Sequence, residues 1–395
     1  MVGMVQYKIS LLNCEERKRK MIILFIGLIL MLILIACFIF INFSPQFGAK
    51  TTRFSNERFK RSENYTNGKF TSTEKTAMMT KMGLSTIMKF FLNGGTVPKF
   101  SIPIEKNSQI KEDNLTITTD KNVKVIWFGH SAVLLDINSR KIFIDPMLGN
   151  VSSPLQLLGP KRFNRDLPIK IKDIPELDAI LISHDHYDHL DYWSIIQLKD
   201  KVKKFYVPLG VAAHLKSWGI DELKIVELDW WEAAKLEELN FICTPSRHFS
   251  GRGLSNRNST LWCSWVIKGE NISIFFSGDT GYNQAFKKVG DKFGPFDLTF
   301  LECGQYNEAW ADIHMMPEET VQANIDLRGK LLMPIHWGAF KLSVHPWQEP
   351  VERLLTKANL LNVEVITPMI GEQVILGKSE PSSRWWDNNS HGQST

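Results

Sequence analysis

Apolar and polar positions follow three regimes along this chain. From 21 to 43, "MIILFIGLILMLILIACFIFINF" carries no charge over 23 positions, enough to cross a hydrocarbon core of about 30 Å as a helix. Residues 44–75 turn polar, rich in Ser, Thr, Asn, Lys and Arg, which predicts a stalk. The stretch 76–95, "TAMMTKMGLSTIMKFFLNGG", spaces Met78, Met82, Ile87, Phe90 and Phe91 among lysines and ends in Gly-Gly. That pattern predicts a helix, either packed as core or cap or lying in a lipid interface.

From about 115 onward, short alternating runs bounded by turn residues predict strands: "LTITTD", "VKVIWFG", "AVLLDI", "KIFIDP", "AILIS", "KFYVPLG", "NFICTPS", "LWCSWVI", "SIFFSGD", "LTFLEC" and "KLLMPIHW". Helical patterns at 190–200 and 317–328 interrupt them, so the expected class is α/β, with sheets covered by helices. No repeat of 20 to 50 residues stands out, although two halves of similar design suit the series. The tail, 379–395, is polar and expected to be loose, with Trp385 and Trp386 as candidate docking points. The expected division is a basic segment 1–20, a transmembrane anchor 21–43, a linker 44–75, a folded domain 76–378 and the tail 379–395.

Charge refines the ends of this picture. A net charge of +5 on 395 residues is too modest for a dedicated nucleic-acid binder but leaves membranes and phosphate esters open as partners. "RKRK", Arg17 to Lys20, precedes the apolar run. The run exceeds the usual core of a cleaved signal peptide and no small-residue cleavage site follows it, so a retained single-pass anchor is expected. "LIAC", ending at Cys37, resembles a lipoprotein cleavage box, which would also leave a tether. Basic residues flank both ends; the tighter "RKRK" cluster favours the N-terminus inside and the domain on the extracytoplasmic side. The five cysteines have no zinc-ribbon spacing, and Cys243 and Cys263 are expected to pack in the core.

The chemistry concentrates in "LISHDHYDHLD". His184, His186, Asp188 and His189 have the spacing H-x-H-x-D-H directly after an apolar strand. On a turn leading into a helix, His184 and His186 can grip one cation while Asp188 and His189 face a second. Four such groups in six residues are costly to desolvate without a metal. Further ligands are expected from other strand ends: His248 in "TPSRHFSGRG", Asp279 in "FFSGDTGY" and His336 in "MPIHWGAF". Arg252 suits a phosphate or a structural ion pair equally.

In this order the motifs resemble those of the metallo-β-lactamase superfamily. The resemblance implies a four-layer αββα sandwich with a dinuclear site at one edge of its sheets. By position, His184, His186 and His248 would hold one metal, Asp188, His189 and His336 the other, and Asp279 would bridge them. Asp145, in "KIFIDP", would support the histidine loop from behind, and His130 would be structural. "GPKRFNRDLPI", "RHFSGRG", "SGDTGY", "ADIHMMPEETV", "IHWGAF" and "HPWQEP" extend the match, over about 110–360, to the N-acylphosphatidylethanolamine-hydrolysing phospholipase D family. That match implies a role for His314 near the metals, alongside Asp188 and Asp279 as catalytic residues. Phe249 stands where the family has tryptophan.

The implied chemistry is hydrolysis of a lipid phosphodiester, releasing phosphatidic acid. Two divalent ions make hydroxide available near neutral pH and neutralise phosphoryl oxygens, so no Ser or Cys nucleophile is needed. Zinc suits five imidazoles and two carboxylates, and the set also accepts iron or manganese. Residues 76–95 and the loop 147–160, "MLGNVSSPLQLLGP", are expected to build an apolar lipid cleft. A lactonase or other C–O hydrolase of the same superfamily and a non-catalytic metal-binding sensor are the competing readings. The sequence leaves oligomeric state open, a dimer included.

Overall fold

Two units make up the chain, Met1–Phe47 and Gly48–Thr395. The computed structural model describes residues 2–49, 57–79, 88, 96–99, 101–106, 123–157, 159–164, 166–253, 255–378 and 384–387. The strand expected at 115–120, most of the helix expected at 76–95 and most of the tail lie outside those residues. The first unit is a helix, α1 (Val2–Phe43), followed by a 3₁₀ turn, Pro45–Phe47. Among the described helices α1 alone is long and apolar enough to cross a membrane, over Glu16–Phe43.

The second unit starts with a small hairpin, β1 (Tyr65–Thr66) and β2 (Lys69–Phe70). Its first large sheet takes β3 (Val123–Trp127), β4 (Val133–Ile137), β5 (Arg140–Ile144), β6 (Leu177–Leu181), β7 (Val202–Pro208) and β8 (Ile225–Leu228). The second takes β9 (Ala233–Leu236), β10 (Leu239–Thr244), β11 (Ser264–Lys268), β12 (Ser273–Phe276), β13 (Leu298–Glu302), β14 (Leu331–Ile335) and β15 (Glu364–Val365). The last strand, β16 (Gln373–Ile375), returns to the first sheet beside β3, giving the orders β16-β3-β4-β5-β6-β7-β8 and β15-β14-β13-β12-β11-β10-β9. Both sheets are mixed.

Period-two patterning separates the layers. Val123, Val125 and Trp127 of β3, with Val133, Leu135 and Ile137 of β4, join the second sheet's side chains in one core. Ile126, Leu134 and Phe143 face the other way, against α2 (Tyr192–Leu198) and α3 (Ala212–Ser217) through Ile195, Leu198 and Leu215. On the far side α4 (Ala285–Phe293), α5 (Pro317–Asp326) and α6 (Glu349–Leu361) cover the second sheet with Phe286, Val321 and Leu354. The result is the expected helix–sheet–sheet–helix sandwich.

Besides the hairpin β1–β2, the strands that the pattern did not predict are β8, β9, β15 and β16, the edges of the two large sheets. They are two to four residues long and partly exposed, and short edges carry little alternation. The polar segment expected as a stalk is also different over its described part. Phe59 and Phe70 are buried in the main core, and Arg58 Nη2 donates to the Glu227 carbonyl at 2.8 Å. Two aromatics in a polar stretch are enough to fold it onto the domain, because each buries a large apolar surface. The tail docks as expected through Trp385 and Trp386, each 2 % exposed.

Candidate metal centre

The donors stand on turns that leave the strands. The loop 184–189 follows β6 and ends at Asp191, which caps α2 by accepting the Ser194 N–H at 2.9 Å. His248 follows β10, Asp279 follows β12 and His336 follows β14. His130 and His336 adopt left-handed backbone, φ 55° and 66°, and exchange main-chain hydrogen bonds, His336 N to His130 O at 2.9 Å and His130 N to Trp337 O at 3.1 Å. Such conformations in bulky residues persist only where the surroundings enforce them.

These turns bring all seven expected ligands together. His184, His186, His248 and Asp279 form one cluster of converging donor atoms; Asp188, His189 and His336 form a second with His130. Asp279 lies between them. Its Oδ1 is 3.1 Å from both His189 Nε2 and His336 Nδ1, and its Oδ2 is 3.8 Å from both His184 Nε2 and His248 Nε2. One oxygen therefore faces each cluster.

Hydrogen bonds behind the histidines fix which nitrogen looks inward. His248 Nδ1 donates to the Ile313 carbonyl at 2.9 Å, leaving Nε2 as a lone pair. His189 Nδ1 donates to Asp145 Oδ2 at 2.8 Å. Ser183 Oγ gives its proton to Asp145 Oδ2 at 2.5 Å, so it accepts from His184 Nδ1 at 2.9 Å. Asp145 thus backs the loop, as a carboxylate behind ligating histidines does. His130 Nε2 is 2.9 Å from Asp188 Oδ2 and steadies that carboxylate.

Burial, then repulsion among the imidazoles, holds His184, His248 and His336 well below the usual histidine pKa. Burial takes His186 down to about 4. Neutral imidazoles are what a cation requires. Burial also lifts Asp279 to about 6 despite His189. For His189 burial acts downward, but Asp279, Asp188 and the Asp145 hydrogen bond prevail and hold it well above its usual range.

The residues fit a bound cation. His189 Nε2 and Asp279 Oδ1 are buried and make no hydrogen bond among the described residues, although they lie 3.1 Å apart. Two such buried atoms aimed at one point, beside four imidazoles held neutral and the Asp188 carboxylate, match divalent metal binding.

Arg252 is 2 % exposed, and its Nη1 donates to the carbonyls of Asp185 at 2.6 Å and Leu190 at 2.8 Å. Of its two expected uses, this is the structural one. Tyr187 stacks under its guanidinium, 4.2 Å from the ring centroid, and Tyr282 bonds Asp326 at 2.5 Å. Cys243 and Cys263 are buried, as expected.

Above the donors opens a cavity of about 720 Å³ whose floor includes His186, Asp188, His248, Asp279, His314 and His336. Its walls are mostly apolar, with Met78, Met79, Phe249, Trp310, Ile313 and Leu342 beside Gln305, and Arg257 is its one arginine or lysine among the described residues. Residues 75–77 are fixed beside it, by Arg247 Nη2 to the Lys75 carbonyl at 2.8 Å and by Ala77 N to Asp312 Oδ2 at 2.8 Å. The loop 147–160, expected in this cleft, does not line it among the described residues. Its start is drawn inward instead, where Met147 and Leu148 are buried and Arg162 Nη2 donates to the Met147 carbonyl at 2.5 Å.

Glu302, absent from the expected set, sits behind His314. Its Oε2 is 2.8 Å from His314 Nδ1 and its Oε1 accepts the Thr280 N–H at 2.7 Å. Burial pushes its pKa well up, opposed by the N–H groups of Thr280 and Met315. The available signal was a carboxylate closing the apolar run "LTFLEC".

Residues 140–337 match the family model described as a beta-lactamase superfamily domain. An uncharacterized protein of Mycobacterium tuberculosis is 41 % identical over 335 residues, 83 % of this chain and 88 % of that protein. The N-acyl-phosphatidylethanolamine-hydrolyzing phospholipase D 1 of Caenorhabditis elegans is 32 % identical over 314 residues, 73 % of this chain and 87 % of the relative. Among solved structures, a possible metal-dependent hydrolase from Veillonella parvula has the same fold, with TM-score 0.51 and 16 % identity over 64 % of this chain and 98 % of that one. Fold, donor set and likeness make this chain a metal-dependent hydrolase of the metallo-β-lactamase superfamily.

Proposed function

We propose that this hydrolase is a membrane-tethered phosphodiesterase of phospholipase D type, cleaving N-acylphosphatidylethanolamine-like lipids to phosphatidic acid. The observation that carries the reading is the cavity, where a floor of imidazoles and carboxylates lies under walls of Met78, Met79, Trp310, Ile313 and Leu342. A charged phosphodiester suits the floor and an acyl chain the walls. The likeness to the nematode phospholipase D supports the same substrate class. The apolar length of α1 supports a single-pass anchor, with the domain on the extracytoplasmic side.

His184, His186 and His248 would hold one divalent cation and Asp188, His189 and His336 the other, with one Asp279 oxygen on each; zinc is the first choice. When bound, such a pair acidifies water and neutralises phosphoryl oxygens. The chain's own groups do the rest. Glu302 holds the His314 Nδ1 proton, which leaves Nε2 to meet the substrate. Water adds to phosphorus and gives a proton to His314 Nε2, the bond to the ethanolamine oxygen breaks, and the same nitrogen returns that proton to the leaving oxygen. Arg257, over the Phe249 ring at 5.8 Å, offers the cavity mouth a fixed positive charge for an anionic head group.

The test is the purified full chain in detergent, with metal content measured, assayed on N-acylphosphatidylethanolamine and on a simple lactone beside Asp279→Asn. Metal-dependent release of phosphatidic acid, lost in the variant, is the expected result. Lactone cleavage alone would move the function to a C–O hydrolase.

A further inference from the structure

Gly48 and Ala49 follow the turn that ends the first unit and belong to the second. Gly48 has φ +71°, and a Cβ there would meet His214 Nδ1 at 2.1 Å. No side chain fits in that space. The Ala49 N–H donates to His214 Nδ1 at 3.0 Å. Because Nδ1 accepts, the imidazole proton is on Nε2, which faces Asp185 Oδ2 at 3.3 Å. His214 is 1 % exposed and lies beside Trp218, ring centroids 6.3 Å apart.

Asp185 is fully buried between His184 and His186 in the chain, and it turns away from the donors they present. Its Oδ1 accepts from Gly251 N at 2.7 Å and its Oδ2 from Thr260 Oγ1 at 3.0 Å. The contacts Ala49–His214 and His214–Asp185 therefore link the main chain after the apolar helix to the back of the loop 184–189. Nothing in the chemistry above uses His214, Asp185 or residues 48–49.

We propose that Gly48–Ala49 is a strap that positions the metal-binding loop. Docked on His214, it holds that imidazole in the one tautomer and orientation that reach Asp185, and Asp185 sets the spacing of His184 and His186. A carboxylate in such a network acts through the groups it orients. The strap makes the stretch beyond the apolar helix a working part of the site. The inference rests on the loop's reading as metal-binding.

Two substitutions in the full chain test it. Gly48→Val introduces a side chain where the His214 ring stands, and Ala49→Pro abolishes the donating N–H while restricting the backbone at 48–49. Hydrogen exchange is followed at amides 184–190, and metal release is timed against a chelator. Both are expected to quicken about fivefold in each variant, the scale of one lost hydrogen bond, while amides of β3–β5 keep their protection. Unchanged loop exchange and metal release in both variants would overturn the proposal. So would global loss of protection in Gly48→Val with wild-type behaviour in Ala49→Pro, since the contact would then be packing alone. Faster loop exchange in a protein that binds no metal would sustain the strap and defeat the metal reading.

Discussion

From β16 to β8 the first sheet runs through three antiparallel pairings and then three parallel ones, and from β9 to β15 the second runs through the same series. Equal places in the two series can be compared. After β5 comes Asp145 and after its counterpart β12 comes Asp279; after β6 comes the histidine loop, while its counterpart β13 ends on Glu302. The first sheet thus loads one loop with four donors, and the second spreads His248, Asp279 and His336 over three turns. His189 is clasped between the two equivalent aspartates, with Nδ1 2.8 Å from Asp145 and Nε2 3.1 Å from Asp279. One frame supplies both a supporting carboxylate and a donor carboxylate, and which is which depends on what each one meets. Asp145 is filled by Ser183 and His189, whereas Asp279 Oδ1 makes no hydrogen bond among the described residues.

That contrast can be broken experimentally. Asp279→Asn should remove bound metal and lower phosphodiesterase activity by about three orders of magnitude, read by metal analysis and turnover. Asp145→Asn should weaken metal binding about 10- to 100-fold, with activity returning in excess metal. Equal and unrecoverable losses in both would erase the distinction between the halves. Glu302→Gln sharpens the other matched pair: kcat should fall about tenfold with metal content and KM held, because His314 loses its carboxylate partner. Smallest is Arg257→Ala, expected to raise KM on anionic vesicles about threefold with kcat kept, as suits an exposed charge.

The same contrast explains what the sequence could tell. Interior strands such as β5, β6 and β12 announce themselves because each face meets a core layer, so they carry a nearly unbroken apolar run. The edges β8, β9, β15 and β16 have a neighbour on one side only and lack it. The loop 184–189 is legible because four donors in six residues have no cheap alternative use. His248, Asp279 and His336 are legible only as a set at strand ends. Glu302 escapes because a single acid at a strand end looks like any surface carboxylate until His314 is brought to it from twelve residues away. Phe59 and Phe70 escape for the opposite reason, being two apolar residues in a polar background whose burial is decided by tertiary packing.

The tail has an optical consequence. Trp385 stacks on Trp337 at 5.2 Å and 23°, and Trp127 and Trp386 each lie 5.5 Å from Trp337. Trp337 adjoins His336 in the chain. Indole rings this close exchange excitation and couple their near-ultraviolet transitions, so four of the chain's 12 tryptophans act as one chromophore. Its circular dichroism should therefore change when Trp385 and Trp386 leave their seat against Trp337. The seating of the tail is thus open to optical measurement without a label.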